Sequence, residues 1–93
     1  MNKGELVDRI SQKATVTKKQ ADAVLSAAIE TIMEAVSEGD KVTLVGFGSF
    51  ERRDRKEREG RNPKTGEKMS IPATQVPAFS AGKLFKDKVA PSK

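Results

Sequence analysis

The sequence predicts an α+β chain: a helical-hairpin base, a short antiparallel sheet, a protruding two-stranded β-arm and a short closing helix. Three observations carry this prediction. Two runs with apolar residues at helical spacing, each opened by a capping signal, fill the chain as far as Gly39. Beyond Gly39 the alternation changes to period two, the signature of strand. The stretch "EREGRNPKTGEK", Glu57 to Lys68, then sets a proline, two glycines and an asparagine in a run of charge between two strand-like segments.

Taken in order, Asn2 with Glu5 three residues on starts a helix over about residues 3–13, with Leu6, Val7, Ile10 and Ala14 on one face. Thr17 with Gln20 repeats the signal. Ala21, Val24, Leu25, Ala28, Ile29, Ile32, Met33 and Val36 follow at 3.6 periodicity until Gly39 ends the run. Those positions cover about half the circumference, wider than the ~100° stripe that one neighbour requires, so this helix calls for cover from two sides. "KVTLVGFGSFE" reads as a strand that bends at Gly46 and Gly48, anchored by Phe47 and Phe50. In "KMSIPATQVPAF", Met69 and Ile71 alternate with polar residues, and Pro72 and Pro77 exclude a central strand. The Asn-Pro-Lys-Thr-Gly tip joins these two segments into a hairpin. Ser80 is expected to cap a short closing helix containing Leu84, Phe85 and Val89, and the final "PSK" to fray.

The hairpin is too long to lie inside the domain. About eleven residues per strand at about 3.3 Å each reach about 36 Å, whereas a chain of this length has a radius of gyration near about 12 Å. It must stand out in solvent, which explains why its middle has no large apolar anchor. The expected organisation is therefore one domain: a helical hairpin over 1–39, sheet and closing helix over 40–51 and 76–93, and an arm over 52–75.

Composition narrows the function. With 93 residues, the chain buries only about 60–65% of its unfolded surface, a marginal core that favours association with another subunit. It has no Cys and no His, which removes disulfides, thiolate metal sites and the commonest general base. No residue offers an activated nucleophile, and the close Asp and Glu pairs fall on solvent faces. "GFGSF" lacks the spacing and the Lys-Ser/Thr of a phosphate-binding loop. An enzyme, a metal, a cofactor and a small-molecule substrate are thus not expected. There is no secretory signal and no run near ~18 apolar residues, so a soluble intracellular protein without membrane attachment is expected.

Charge points to the partner. From Arg52 to Lys68 there are eight basic residues and four acidic ones, so this window carries +4 of the chain's net +5. A charged run is commonly no more than a solvated face or a linker. Here it contains a defined turn and an alternating return strand, and it holds five of the chain's six arginines, the cation suited to bidentate phosphate or base-edge contacts. All four phenylalanines lie outside the window and Tyr and Trp are absent, so a base-stacking platform for single strands is disfavoured and the rings read as core or interface. A helix-turn-helix reader fares no better, because the polar face of the second helix runs Asp22, Ser26, Glu30, Glu34, Glu38 and would repel phosphate. Duplex DNA remains. Pro63 reads as a turn residue from its dipeptide alone, but at the end of a projecting basic ribbon it is also a rigid apolar wedge, flanked by Arg61, Asn62 and Lys64.

"GFGSFERRDRKEREGRNPKTGE" followed by "IPA…VPAFSAGKLFKDKV" closely resembles the bacterial histone-like DNA-binding proteins of the HU and integration host factor family, over Met1 to about Ala90 without an evident gap. The Gly-Arg-Asn-Pro-Lys-Thr tip is the most specific part, and the full-length fit is nearer the HU branch. The resemblance implies an intertwined homodimer whose two β-arms embrace double-stranded DNA in the minor groove, with tip prolines intercalating to bend and compact it. By position it implies Pro63 as the intercalating residue and Arg53, Arg55, Arg58, Arg61, Asn62, Lys64 and Lys68 as the arm's DNA contacts. It further implies Lys3, Ser49, Lys83 and Lys86 as phosphate contacts of the body, and Phe47, Phe50 and Phe79 as dimer core. A nucleoid-associated place in a bacterial cytoplasm is expected, with a plastid as the other compartment compatible with the sequence.

Overall fold

The computed structural model describes residues 1–90; the expected fraying of the last three lies outside them. The chain divides into two compact units, Met1–Glu34 and the part from Ala35 onward.

In the first unit, α1 (Lys3–Ala14) opens as its cap signal requires: Asn2 Oδ1 accepts the Glu5 N–H at 2.9 Å. Thr15 ends it in the left-handed region at φ 58°, its N–H returning to the Ser11 carbonyl. The second helix, α2 (Lys18–Ser37), begins with a complete capping box, in which Thr17 Oγ1 accepts the Gln20 N–H at 3.0 Å and Gln20 Oε1 accepts the Thr17 N–H at 2.9 Å. Val7, Ser11 and Ala21 are buried. Lys3 Nζ donates to Ser26 Oγ at 2.7 Å and lies 3.6 Å from Asp22, while Lys18 pairs with Asp8 at 3.3 Å, so both ends of the hairpin are tied. Part of the broad apolar face of α2 has no cover, Val24 being 70% exposed and Met33 60%, whereas Leu25 and Ile32 are half-buried and Val36 is buried.

The second unit starts at the C-terminus of α2, where the N–H groups of Gly39 and Asp40 close on the Val36 and Ala35 carbonyls at 3.0 and 2.9 Å. Here the sequence expectation needs correction. The stretch read as one bent strand is a hairpin: β1 (Val42–Leu44) turns through Val45 to Phe47 and pairs antiparallel with β2 (Gly48–Arg55), Val42 opposite Phe50. Period-two alternation records which face a residue occupies and not the direction of the chain, so it could not reveal the reversal. Gly48 is required at the turn exit, since a Cβ there would stand 2.5 Å from the Phe79 ring and from the Ser80 carbonyl.

β2 pairs along its whole length with a strand that runs Thr74–Ala81, giving a three-stranded sheet with β2 in the centre. Pro77, opposite Arg52, thus sits on an edge strand, as its missing N–H demands. Ser80 is not a helix cap. It pairs with Ser49, the strand continues to Ala81, and the closing helix α3 (Lys83–Val89) starts after Gly82. Nonlocal strand pairing outweighed a local capping preference worth only about 1 kcal/mol. The four phenylalanines meet: Phe50 and Phe79 are 4.8 Å apart between centroids, and Phe47 stacks on Phe85 at 5.4 Å with planes 6° apart. Phe47 nonetheless remains 46% exposed, and no large side chain among the described residues is fully buried.

Beyond the Arg55 and Thr74 pair the ladder stops at Lys56-Glu57 and Pro72-Ala73, where Pro72 has no N–H to donate. It resumes as a separate two-stranded sheet of β3 (Arg58–Arg61) and β4 (Lys68–Ile71), which makes the three-stranded sheet's return strand β5 in chain order. Across the break, Ser70 Oγ donates to Glu57 at 2.7 Å. The arm is thus two ribbons in series with a joint between them, where the sequence suggested one continuous hairpin.

Candidate nucleic-acid interface

The register assigns the arm residues to faces, because side chains of directly paired residues share a side and successive residues alternate. Phe50 and Phe79, then Arg52 and Pro77, fall on the face that carries the phenylalanine cluster. Ser49 and Ser80, Glu51 and Ala78, Arg53 and Val76, Arg55 and Thr74 fall on the other. Ser49, Arg53 and Arg55 therefore share one side of the central strand, away from the rings. In the outer ribbon Arg61 and Lys68 are directly opposed, with Glu59 and Ser70 next on the same face. Arg58 lies on the reverse face with Ile71, Gly60 and Met69. The expected arm cations are exposed but do not form a single row.

The tip is built from its own hydrogen bonds. Asn62 N–H donates to the Glu67 carbonyl at 2.8 Å and the Gly66 N–H returns to the Asn62 carbonyl at 2.7 Å. Asn62 Oδ1 accepts the Lys64 N–H at 2.9 Å, an Asx turn that spans Pro63 and leaves its ring exposed. Gly66 holds φ at 74°, a conformation that L side chains resist, although nothing crowds the space its Cβ would fill. Proline presents an apolar ring without an N–H, so contact with an apolar surface desolvates no donor there.

Several residues already have partners within the chain. Arg53 donates from Nε and a terminal nitrogen to the Glu51 carboxylate, both at 3.0 Å, and reaches Ser80 Oγ at 3.3 Å. Glu51 thereby takes up two of the donors of the Arg53 guanidinium. Lys3 is engaged by Ser26 and Asp22, and Lys83 by Asp87 at 2.9 Å; Lys86 lies in the last turn of α3. Sequence reading singled out neither Glu51 nor Ser80 for these roles. The spacing of Glu51 and Arg53, two apart on a strand and hence on one face, was a usable signal for the first; Ser80 required the pairing of β2 with β5. Among the described residues there is no group of three or more metal-ligating carboxylates and no helix long and apolar enough to cross a membrane.

A helical hairpin joined to a small antiparallel sheet, with a cationic ribbon leaving that sheet, defines a class of α+β scaffold proteins that present a basic β-arm. The chain belongs to the bacterial DNA-binding protein family, whose model matches residues 1–90. It is 81% identical to the DNA-binding protein HU of Nostoc sp., over all of this chain and 99% of that one. It is 72% identical to the DNA-binding protein HU of Synechocystis sp., again over all of this chain and 99% of its relative. Among solved structures, an Anabaena HU–DNA cocrystal structure superposes with a TM-score of 0.92 at 80% identity, covering 99% of this chain and 100% of the other. HU from Thermotoga maritima gives 0.68 at 39% identity, covering 96% and 98%.

Proposed function

We propose that this chain is the subunit of a homodimeric architectural protein that binds double-stranded DNA with little sequence preference, bends it and compacts it. The observation that carries this reading is the exposed cationic arm: most of the chain's net charge lies on a ribbon that contributes nothing to the core and ends in a turn held by its own hydrogen bonds. Order in a solvated segment costs chain entropy without adding a residue to the buried core, which fits a surface kept for a partner. The solved relative at 80% identity was crystallised with DNA.

In this reading Arg53, Arg55, Arg58, Arg61, Asn62, Lys64 and Lys68 follow the minor groove and Pro63 enters between base pairs. Unstacking of the step is offset by the additional protein surface that a bent duplex meets. Lys3, Ser49, Lys83 and Lys86 receive the flanking phosphates, for which Lys3 and Lys83 give up Asp22 and Asp87. These are exposed ion pairs worth about 0–1 kcal/mol, so the exchange is easy. Phe47, Phe50 and Phe79 with the uncovered side of α2 form the dimer core. The domain is one functional body: hairpin base 1–39, sheet and closing helix 40–51 and 76–93, and arm 52–75. It is not an enzyme, takes no cofactor and works at the nucleoid of a bacterial cytoplasm.

Affinity then comes mostly from counterion release. A dimer neutralising about 6–10 phosphates loses roughly 10³- to 10⁵-fold in affinity between about 50 and 200 mM salt. The direct test is Pro63→Ala with energy transfer across an end-labelled duplex. The variant keeps its fold and binds, but the duplex ends move apart; an unchanged bend removes the wedge. Single-stranded RNA displacing duplex DNA at equal nucleotide concentration would replace this reading with an RNA-binding one.

A further inference from the structure

Arg52 and Arg53 are adjacent in sequence and opposite in surroundings. Arg53 points to the face shared with Ser49 and Arg55, whereas Arg52 lies on the phenylalanine side, paired with Pro77. Its guanidinium donates at 3.0 Å to the carbonyl of Ser37, in the last turn of α2, where the closing carbonyls of a helix take partners from outside its own ladder. A Cβ at Gly39 would come within 3.2 Å of the same guanidinium, so the side chain lies over the residue that ends the helix and uses its lack of substituent. A cation there also meets the negative end of the helix dipole, and α2 has no basic residue of its own in its last turn.

Building on the arm reading above, we propose that Arg52 is a positioning residue: it fastens the root of the arm to the C-terminus of α2 and so fixes the direction in which the arm meets DNA, without contacting phosphate. Its neighbours turn their charge towards the partner, and Arg52 turns its charge towards the scaffold. The root is where such a tie has most effect. A small rotation at residue 52 swings the inner ribbon, and with it the point from which the outer ribbon starts beyond the joint at Lys56-Glu57.

The test compares Arg52→Gln, Arg52→Lys and Arg53→Gln in the full chain on one end-labelled duplex. Arg52 is exposed, so the Gln variant is expected to fold, and Arg52→Lys keeps a cation at the helix end in case it does not. Arg53→Gln is expected to lower the slope of log K against log salt by about 0.9 for each phosphate that the variant leaves unneutralised, with the bend retained. Arg52→Gln should leave that slope unchanged while the distribution of duplex end-to-end distances broadens and shifts towards straight DNA, and Arg52→Lys should restore part of the bend. A slope lowered equally by both Gln variants makes Arg52 a phosphate contact, and an unchanged slope with an unchanged bend makes it idle; either overturns the proposal. Failure of the arm reading is distinguishable, because the unaltered protein would then leave the duplex straight.

Discussion

Thr15 is the only described non-glycine residue with a positive φ, 58°, and a β-branched side chain is poorly suited to that region. The left-handed conformation costs an L residue about 1–2 kcal/mol, and the position that ends a helix in this way is usually glycine. Thr15→Gly should therefore stabilise the protein by about 1 kcal/mol and raise its melting temperature by about 4 °C at fixed protein concentration. An unchanged or lowered midpoint would show that the turn relaxes in solution. A second residue-scale consequence concerns Glu51, whose carboxylate holds Arg53. With Arg53 exposed and Glu51 half-buried, the pair is worth about 1 kcal/mol, so Glu51→Gln should tighten duplex binding about two- to fivefold at low salt, measured by fluorescence anisotropy. Weaker binding would mean that Glu51 orients Arg53 for DNA and does not compete for it.

At the scale of elements, the arm's tip and its root can be tested separately. Asn62→Ala removes the acceptor that orders the turn around Pro63, a loss of about 1 kcal/mol confined to a ribbon outside the core. Urea unfolding should be unchanged while DNA affinity falls about fivefold; a drop in both would place the tip in the folding unit. What the sequence disclosed at this scale follows from how far each signal reaches. The starts of α1 and α2 were legible because Asn2, Thr17 and Gln20 bond within three residues, and the Asn62 to Gly66 turn because its bonds close within five. The reversal at Val45 to Phe47 was hidden by apolar residues that suit a strand equally well. Ser80 was misplaced because its environment is set by Ser49, 31 positions away in sequence. The division of Arg52 from Arg53 was implicit in strand alternation, but only the Ser37 carbonyl gives it meaning.

For the molecule as a whole, the apolar surface is the unfinished part. Val24, Met33, Phe47 and Phe79 are all at least 41% exposed in the single chain. Each gains about 1.5–3 kcal/mol when fully buried, enough together to hold two marginal chains as one stable body. The protein should sediment at about twice its 10.1 kDa subunit mass, and its melting temperature should rise with concentration. Phe47→Ala should weaken association by about 3 kcal/mol or more, and a monomer with a concentration-independent melt would remove the dimer from the account. The central claim, that the cationic ribbon and not the helical face meets DNA, is tested most directly by placing a photo-crosslinking side chain at Lys64 in one variant and at Glu30 in another. Irradiation with duplex DNA should join position 64 to the minor-groove edge of the bases and leave position 30 free. Adducts from position 30 with none from position 64 would contradict it.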